Sequence, residues 1–132
     1  MSMRDLELET TLLSPPELIY RGWMDSYIHG AITEALAAIQ PEVGGAFRLW
    51  SGAVQGRFLQ IIPNKQITMS WRTVDFPPLT SDSKVRITLK AVKNGTRFTV
   101  YHQEIPEKFF EQFRFAWQDY YFPRLEKFFI LH

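Results

Sequence analysis

The chain has 132 residues and a net charge of +1, from 15 basic and 14 acidic side chains. That length fits one domain, residues 1–132, with a core of its own, and the charge balance argues against a nucleic-acid partner, which needs a basic face. There is no cysteine, which removes disulfides, thiolate catalysis and thiolate metal sites and fits a reducing, cytoplasmic compartment. The first nine residues carry Arg4, Asp5, Glu7 and Glu9 without an apolar run, so no leader is expected. No stretch approaches the ~20 apolar residues of a membrane span.

Arg4 to Leu12 reads as a strand, with Leu6 and Leu8 alternating with Glu7 and Glu9. Ser14-Pro15-Pro16-Glu17 predicts a helix start, Ser14 capping it and Glu17 completing a capping box. That helix runs through Ile19, Trp23 and Met24. Asp25-Ser26 caps a second piece, roughly Tyr27 to Leu36, and Ala37 to Gln40 can already be strand.

From Ala46 to Glu104 the pattern is β. Phe47 and Leu49 alternate with Arg48 and Trp50, and Gly52 marks a turn. Val54 to Ile62 forms the next strand, turned by Pro63-Asn64-Lys65. Ile67, Met69 and Trp71 then share a face, Asp75 to Asp82 is a loop, and Val85, Ile87 and Leu89 share a face again. Asn94-Gly95 signals a hairpin. Beyond it Phe98, Val100 and His102 point inward, with Glu104 further along the same face.

After Pro106 the period changes. Apolar residues at 110, 113, 117, 121, 125, 128 and 131 are spaced for one helix over 107–131, bent by Pro123, which cannot donate to residue 119. The order is two short helices after the first strand, six more strands, one of them uncertain, and a long helix. Consecutive hairpins make an antiparallel meander, and only the terminal helix is long enough to cover its apolar face.

Several residues carry the functional question. Phe47, Leu49, Met69, Trp71, Phe98 and Val100 face Phe113, Trp117 and Tyr121 across the sheet–helix gap. They form either a filled core or the wall of an apolar cavity. His102 is either hydrogen-bonded structure or an acid–base group, with Glu104, Asp119, Tyr120 and Tyr121 as candidate partners. Arg72 is a solvated charge, a ligand anchor or a partner of Asp75 or Glu104. Gly44-Gly45 lacks phosphate-loop spacing, and His29, His102 and His132 lack metal-ligand spacing, so neither metal nor cofactor is expected.

Glu42-Val43-Gly44-Gly45-Ala46-Phe47, then Gly52 and Gly56, lead to Ile62-Pro63-Asn64-Lys65-Gln66-Ile67 and Ser70-Trp71-Arg72. Phe76-Pro77, Asn94-Gly95-Thr96-Arg97-Phe98, Ile105-Pro106 and Trp117-Gln118-Asp119-Tyr120-Tyr121 with Leu125 follow. Jointly spaced, these pieces resemble the C-terminal domain family of the activator of the heat-shock-protein-90 ATPase. That family lies in the START-related helix-grip superfamily. The resemblance implies an α+β fold in which about seven antiparallel strands wrap a long C-terminal helix. It also implies a non-enzymatic module that docks on a heat-shock-protein-90-type chaperone, or one that holds a small hydrophobic molecule in the gap. A cyclase- or hydrolase-like enzyme using His102 is the remaining alternative. Exposed rings such as Trp50 or Phe122 would supply a protein contact, and the expected state is a monomer or weak dimer.

Overall fold

The computed structural model of the chain describes residues 2–131, the side chain of Leu131 excepted. Positions 131 of the apolar stripe and 132 of the histidine set therefore fall outside the described side chains. Strand β1 (Met3–Leu12) is followed by helices α1 (Pro16–Met24) and α2 (Ser26–Thr33). Next come β2 (Ala38–Ile39), β3 (Ala46–Leu49), β4 (Val54–Ile62), β5 (Gln66–Thr73), β6 (Ser83–Val92) and β7 (Gly95–Pro106). The terminal helix has a 3-10 turn at Glu107–Phe109, then α3 (Phe110–Phe115), a π-helical turn at Ala116–Tyr121 and α4 (Phe122–Leu131).

All neighbouring strands are antiparallel, in the order β1-β7-β6-β5-β4-β3-β2. This is the expected α+β helix-grip architecture: one face of a seven-stranded sheet closes on the terminal helix. The alternating strands bury the side chains their parity selects, Phe47, Leu49, Ile67, Met69, Trp71, Val85, Ile87, Leu89, Phe98 and Val100. At Gly56 the ladder is so tight that a Cβ would stand 1.9 Å from the Ser70 carbonyl oxygen and 2.7 Å from Phe47 Cζ.

Four local expectations change, each for a physical reason. Ser14 does not cap α1; Pro15 is the N-cap residue, and the Ser14 hydroxyl donates to the Phe129 carbonyl (2.9 Å), tying α4 to the end of β1. Asp25 does cap α2, accepting from the Ile28 amide at 2.8 Å, but α2 stops at Thr33 because Glu34 turns left-handed. The β6–β7 turn centres on Lys93 and Asn94, with Asn94 at φ 68°, while Gly95 pairs with Val92. Gly95 is needed for closeness instead, since a Cβ there would lie 2.1 Å from the Leu12 carbonyl oxygen. Finally, Glu104 has φ 60° at the irregularity where the β1–β7 register shifts, so it turns to solvent and Ile105 takes the inward place.

The terminal helix deviates most. Its buried face is Phe110, Phe113, Trp117, Tyr121, Phe122, Leu125 and Phe129, and Phe128 is only partly buried. The π turn takes in an extra residue and rotates everything after it, which moves the stripe from 128 to 129. It ends beside Pro123, whose missing N–H leaves an orphaned helical carbonyl in either register. Phe122 is thereby buried, not exposed.

The π turn also sets two buried polar chains. Trp117 Nε1 donates to His102 Nδ1 (3.0 Å), and Ser83 Oγ, whose own hydrogen goes to the Trp71 carbonyl (2.7 Å), lies 2.8 Å from His102 Nε2. An indole can only donate, so His102 must carry its proton on Nε2 and accept at Nδ1. One turn on, Tyr121 Oη lies 2.9 Å from His29 Nε2, and His29 Nδ1 lies 2.8 Å from the Trp23 carbonyl. A carbonyl only accepts, so His29 is protonated on Nδ1 and receives the Tyr121 hydroxyl proton. Burial drives both imidazoles toward the neutral form, holding His29 down to about 4 and His102 to about 3. Burial likewise raises the Tyr121 hydroxyl, partly offset by a hydrogen bond with Trp50.

Substituting Gly56→Ala should lower stability by about 1–3 kcal/mol through overpacking, read as a lower urea midpoint; an unchanged midpoint would mean the ladder is looser than described. Tyr121→Phe removes one hydroxyl and strands His29 Nε2, which should cost about 1–3 kcal/mol. Acid should unfold the protein through the two histidines. Unfolded histidine takes a proton near pH 6.5, whereas His29 and His102 resist until about 4 and 3. Stability is therefore full above pH 6.5 and falls as pH drops toward 4, by about 1.4 kcal/mol per pH unit for each imidazole. Urea titrations at stepped pH should give this slope, and His29→Gln should remove about half of it.

Candidate functional site

Between the β4–β5 end of the sheet and the π turn the helix stands away from the strands, leaving a cleft of about 460 Å³. That lies within the ~300–1,000 Å³ range of small-molecule sites. Its rings are Trp50, Trp71, Phe113, Trp117, Tyr120 and Tyr121, and its polar groups are Thr73, Asp75, Gln112 and Arg124. The helical contribution repeats every three or four residues, from Gln112 and Phe113 through Ala116, Trp117, Tyr120 and Tyr121 to Arg124.

Of the residues singled out in the sequence, Trp71, Phe113, Trp117 and Tyr121 reach this cleft. Phe47, Leu49, Met69, Phe98, Val100 and His102 do not. Neighbouring rings cover them, so the gap over that part of the sheet is filled. Trp71 and Trp117 meet at 5.3 Å between ring centroids, and Trp117 and Tyr121 stack at 4.8 Å.

His102 is thereby shut away from any reacting group. Its ring stacks on Phe113 at 4.6 Å, both nitrogens are engaged, and its partners are Ser83 and Trp117 instead of Glu104, Asp119, Tyr120 or Tyr121. No carboxylate orients it, and burial without a counter-charge disfavours the imidazolium that an acid–base role would need. Arg72 pairs with neither Asp75 nor Glu104. It binds Asp82 at 3.0 Å and donates to the carbonyls of Pro77 and Thr80, pinning the 74–82 loop against the sheet. That loop delivers Phe76 onto Phe109 (4.8 Å) and Asp75 to the cleft rim. The Asp75 carboxyl is held below the usual carboxylate range, first by the Thr73 hydroxyl and also by Gln112 Nε2 at 3.1 Å and the charge of Lys108.

No periodicity in the sequence marks Trp50 and Arg124 as cleft residues. Strand parity put Trp50 on the outer face, yet Trp50, Ser51 and Gly52 all have positive φ (56°, 55° and 94°), and this turns the Trp50 indole back edge-on to Tyr121 at 5.0 Å. A left-handed tryptophan leaves no mark in an alternating pattern. Arg124 reads as one charge on the polar side of a helix until the π turn rotates it to the rim. Its guanidinium lies 5.6 Å from the Trp50 ring centroid and 5.3 Å from that of Tyr120. Phe115 and Tyr120, the second of which also lines the cleft, form an edge-to-face pair at 5.2 Å and stay 49% and 46% exposed.

The geometry agrees with known proteins. A family model described as Activator of Hsp90 ATPase homolog 1-like protein matches residues 13–129. The mouse protein named Activator of 90 kDa heat shock protein ATPase homolog 1 is 34% identical over 124 residues, covering 92% of this chain. Its human counterpart is 33% identical over the same length. The chain spans about a third of these relatives, 36% of each. Among solved structures, an HSP90 activator from Plasmodium falciparum superposes with a TM-score of 0.86 at 26% identity, covering 96% of both chains. CalU16 from Micromonospora echinospora shares the fold with a TM-score of 0.80 at 20% identity, covering 96% of this chain and 74% of its own. The chain belongs to the Activator of Hsp90 ATPase homolog 1-like family.

Proposed function

We propose that this chain is a non-enzymatic, cytoplasmic binding module that docks on a heat-shock-protein-90-type chaperone. The observation that carries the reading is the match of residues 13–129 to the family, with relatives named as activators of that chaperone's ATPase. The site chemistry supports it, because the one inward histidine of the sheet is buried, neutral and without a carboxylate. The Phe115–Tyr120 pair is the contact: two large rings presented by a rigid helix lose little side-chain freedom on burial and make suitable anchors.

A second reading has its own observation. The cleft under the π turn supports a carrier or sensor of a small hydrophobic molecule, with Trp71, Phe113, Trp117 and Tyr121 as its wall.

The chaperone reading is tested by mixing the purified chain with purified chaperone, with and without ATP, and measuring binding by calorimetry. Association is expected, and replacing both Phe115 and Tyr120 by alanine should weaken it by more than tenfold, about 1.4 kcal/mol. The melting temperature should hardly change, since both rings are half exposed. Absence of binding in every nucleotide state would end this reading.

A further inference from the structure

We infer that the cleft takes an apolar anion, a small aromatic or aliphatic carboxylate, and that Arg124 holds its charge. This rests on the carrier reading of the cleft and adds the chemical class of its occupant.

The polar groups of the cleft are not equivalent. Asp75 is already satisfied by Thr73 and Gln112. Arg124 is not. Among the described residues it takes part in no ion pair, its Nη1 donates only to the Tyr120 carbonyl at 3.2 Å, and its Nε is buried without a partner. A guanidinium presents five donors in a fixed fork and binds a carboxylate through two of them at once. Here the fork is held in place by the faces of Trp50 and Tyr120. Nη2 has no protein partner among the described residues, so a carboxylate in the cleft forms charge-assisted bonds with the Nη1–Nη2 edge of the fork, while the buried Nε is out of its reach.

The remaining wall fixes the other end of the molecule. Trp50 and Tyr120 are the lining rings left open to a flat or aliphatic body, above a floor of the buried Trp71, Trp117 and Tyr121, and Ala116 adds only a methyl to the lining. Asp75 repels an anion from the opposite rim, so the ligand is oriented with its charge at Arg124. A nucleotide or other polyanion does not fit this description, because the lining holds one cation and mostly apolar surface.

The test compares naphthoate with naphthalenemethanol, its uncharged counterpart, by tryptophan fluorescence and calorimetry on the full chain. Naphthoate should bind about tenfold or more tightly than the alcohol. Arg124→Gln should bring naphthoate binding down to that of the alcohol, and Lys127→Gln, one turn along on the exposed side, should change neither. Ala116→Phe fills the cleft from within and should abolish both, which keeps the test decisive should Arg124→Gln unfold. Equal binding of the two probes, or an acid preference that survives Arg124→Gln, overturns the assignment of the anion and leaves the carrier reading standing. Binding of neither probe overturns the carrier reading itself.

Discussion

Trp117 and Tyr121 sit four residues apart on the terminal helix with stacked rings, and each ends its polar atom on a buried histidine from a different layer. His102 comes from β7 of the sheet, and His29 comes from α2. The helix is thus gripped by directional bonds from both sides as well as by apolar burial. The Trp117 bond holds only while His102 is neutral, because an imidazolium would aim an N–H at the Trp117 N–H, and the neutral state of His29 is what makes the Tyr121 hydroxyl the donor of its pair. Burial enforces that state. Both bonds also hold only at one rotation of the helix, which the π turn supplies. Hydrophobic burial alone would let a ring-rich helix slide or roll at modest cost, since large rings repack; a buried donor left unmatched makes each wrong register costly.

The sheet was legible in the sequence because strand alternation reports burial directly. The strand residues assigned inward by parity from Phe47 to Val100 are buried, and the hairpins close near the turn residues that announced them. Legibility ended wherever the backbone left its regular period. Glu104 was assigned inward with His102, but a left-handed residue inserted there reversed the parity after it. Phe128 was assigned to the buried stripe, but a π turn carries no fixed signature, and the extra residue moved burial to Phe129. Ser14 held a capping pattern that the folded chain does not use, because the Phe129 carbonyl, 115 residues away, takes its hydroxyl. Tertiary partners decided that contest, and no local pattern records them.

The same limit applies to the cleft, four of whose six lining rings are visible in the sequence. Trp71, Phe113, Trp117 and Tyr121 follow from periodicity alone. Trp50 and Arg124 do not, since each reaches the cleft through an irregularity, the left-handed turn at 50–52 and the π turn at 116–121. The sequence spreads the ligand space over the whole sheet–helix gap, whereas the structure packs Phe98, Val100 and His102 tightly. Space remains only where the two irregular segments hold strand and helix apart.

That coincidence bears on function. A bulky residue at positive φ and a wide helical turn each cost stability, and folded chains keep such features where the surroundings over-determine them. Both border one cleft here, and both point a side chain into it. A domain that needed only to close a sheet on a helix would fill this end as it fills the middle, with a larger side chain in place of Ala116 or Ala53. Instead the two alanines leave the space, the two irregular turns frame it, and the Arg124 guanidinium is laid against aromatic faces with its Nη2 unpartnered among the described residues. Packing explains the grip, and the rings, the guanidinium and the open volume at this rim are the features on which the proposed carrier reading rests.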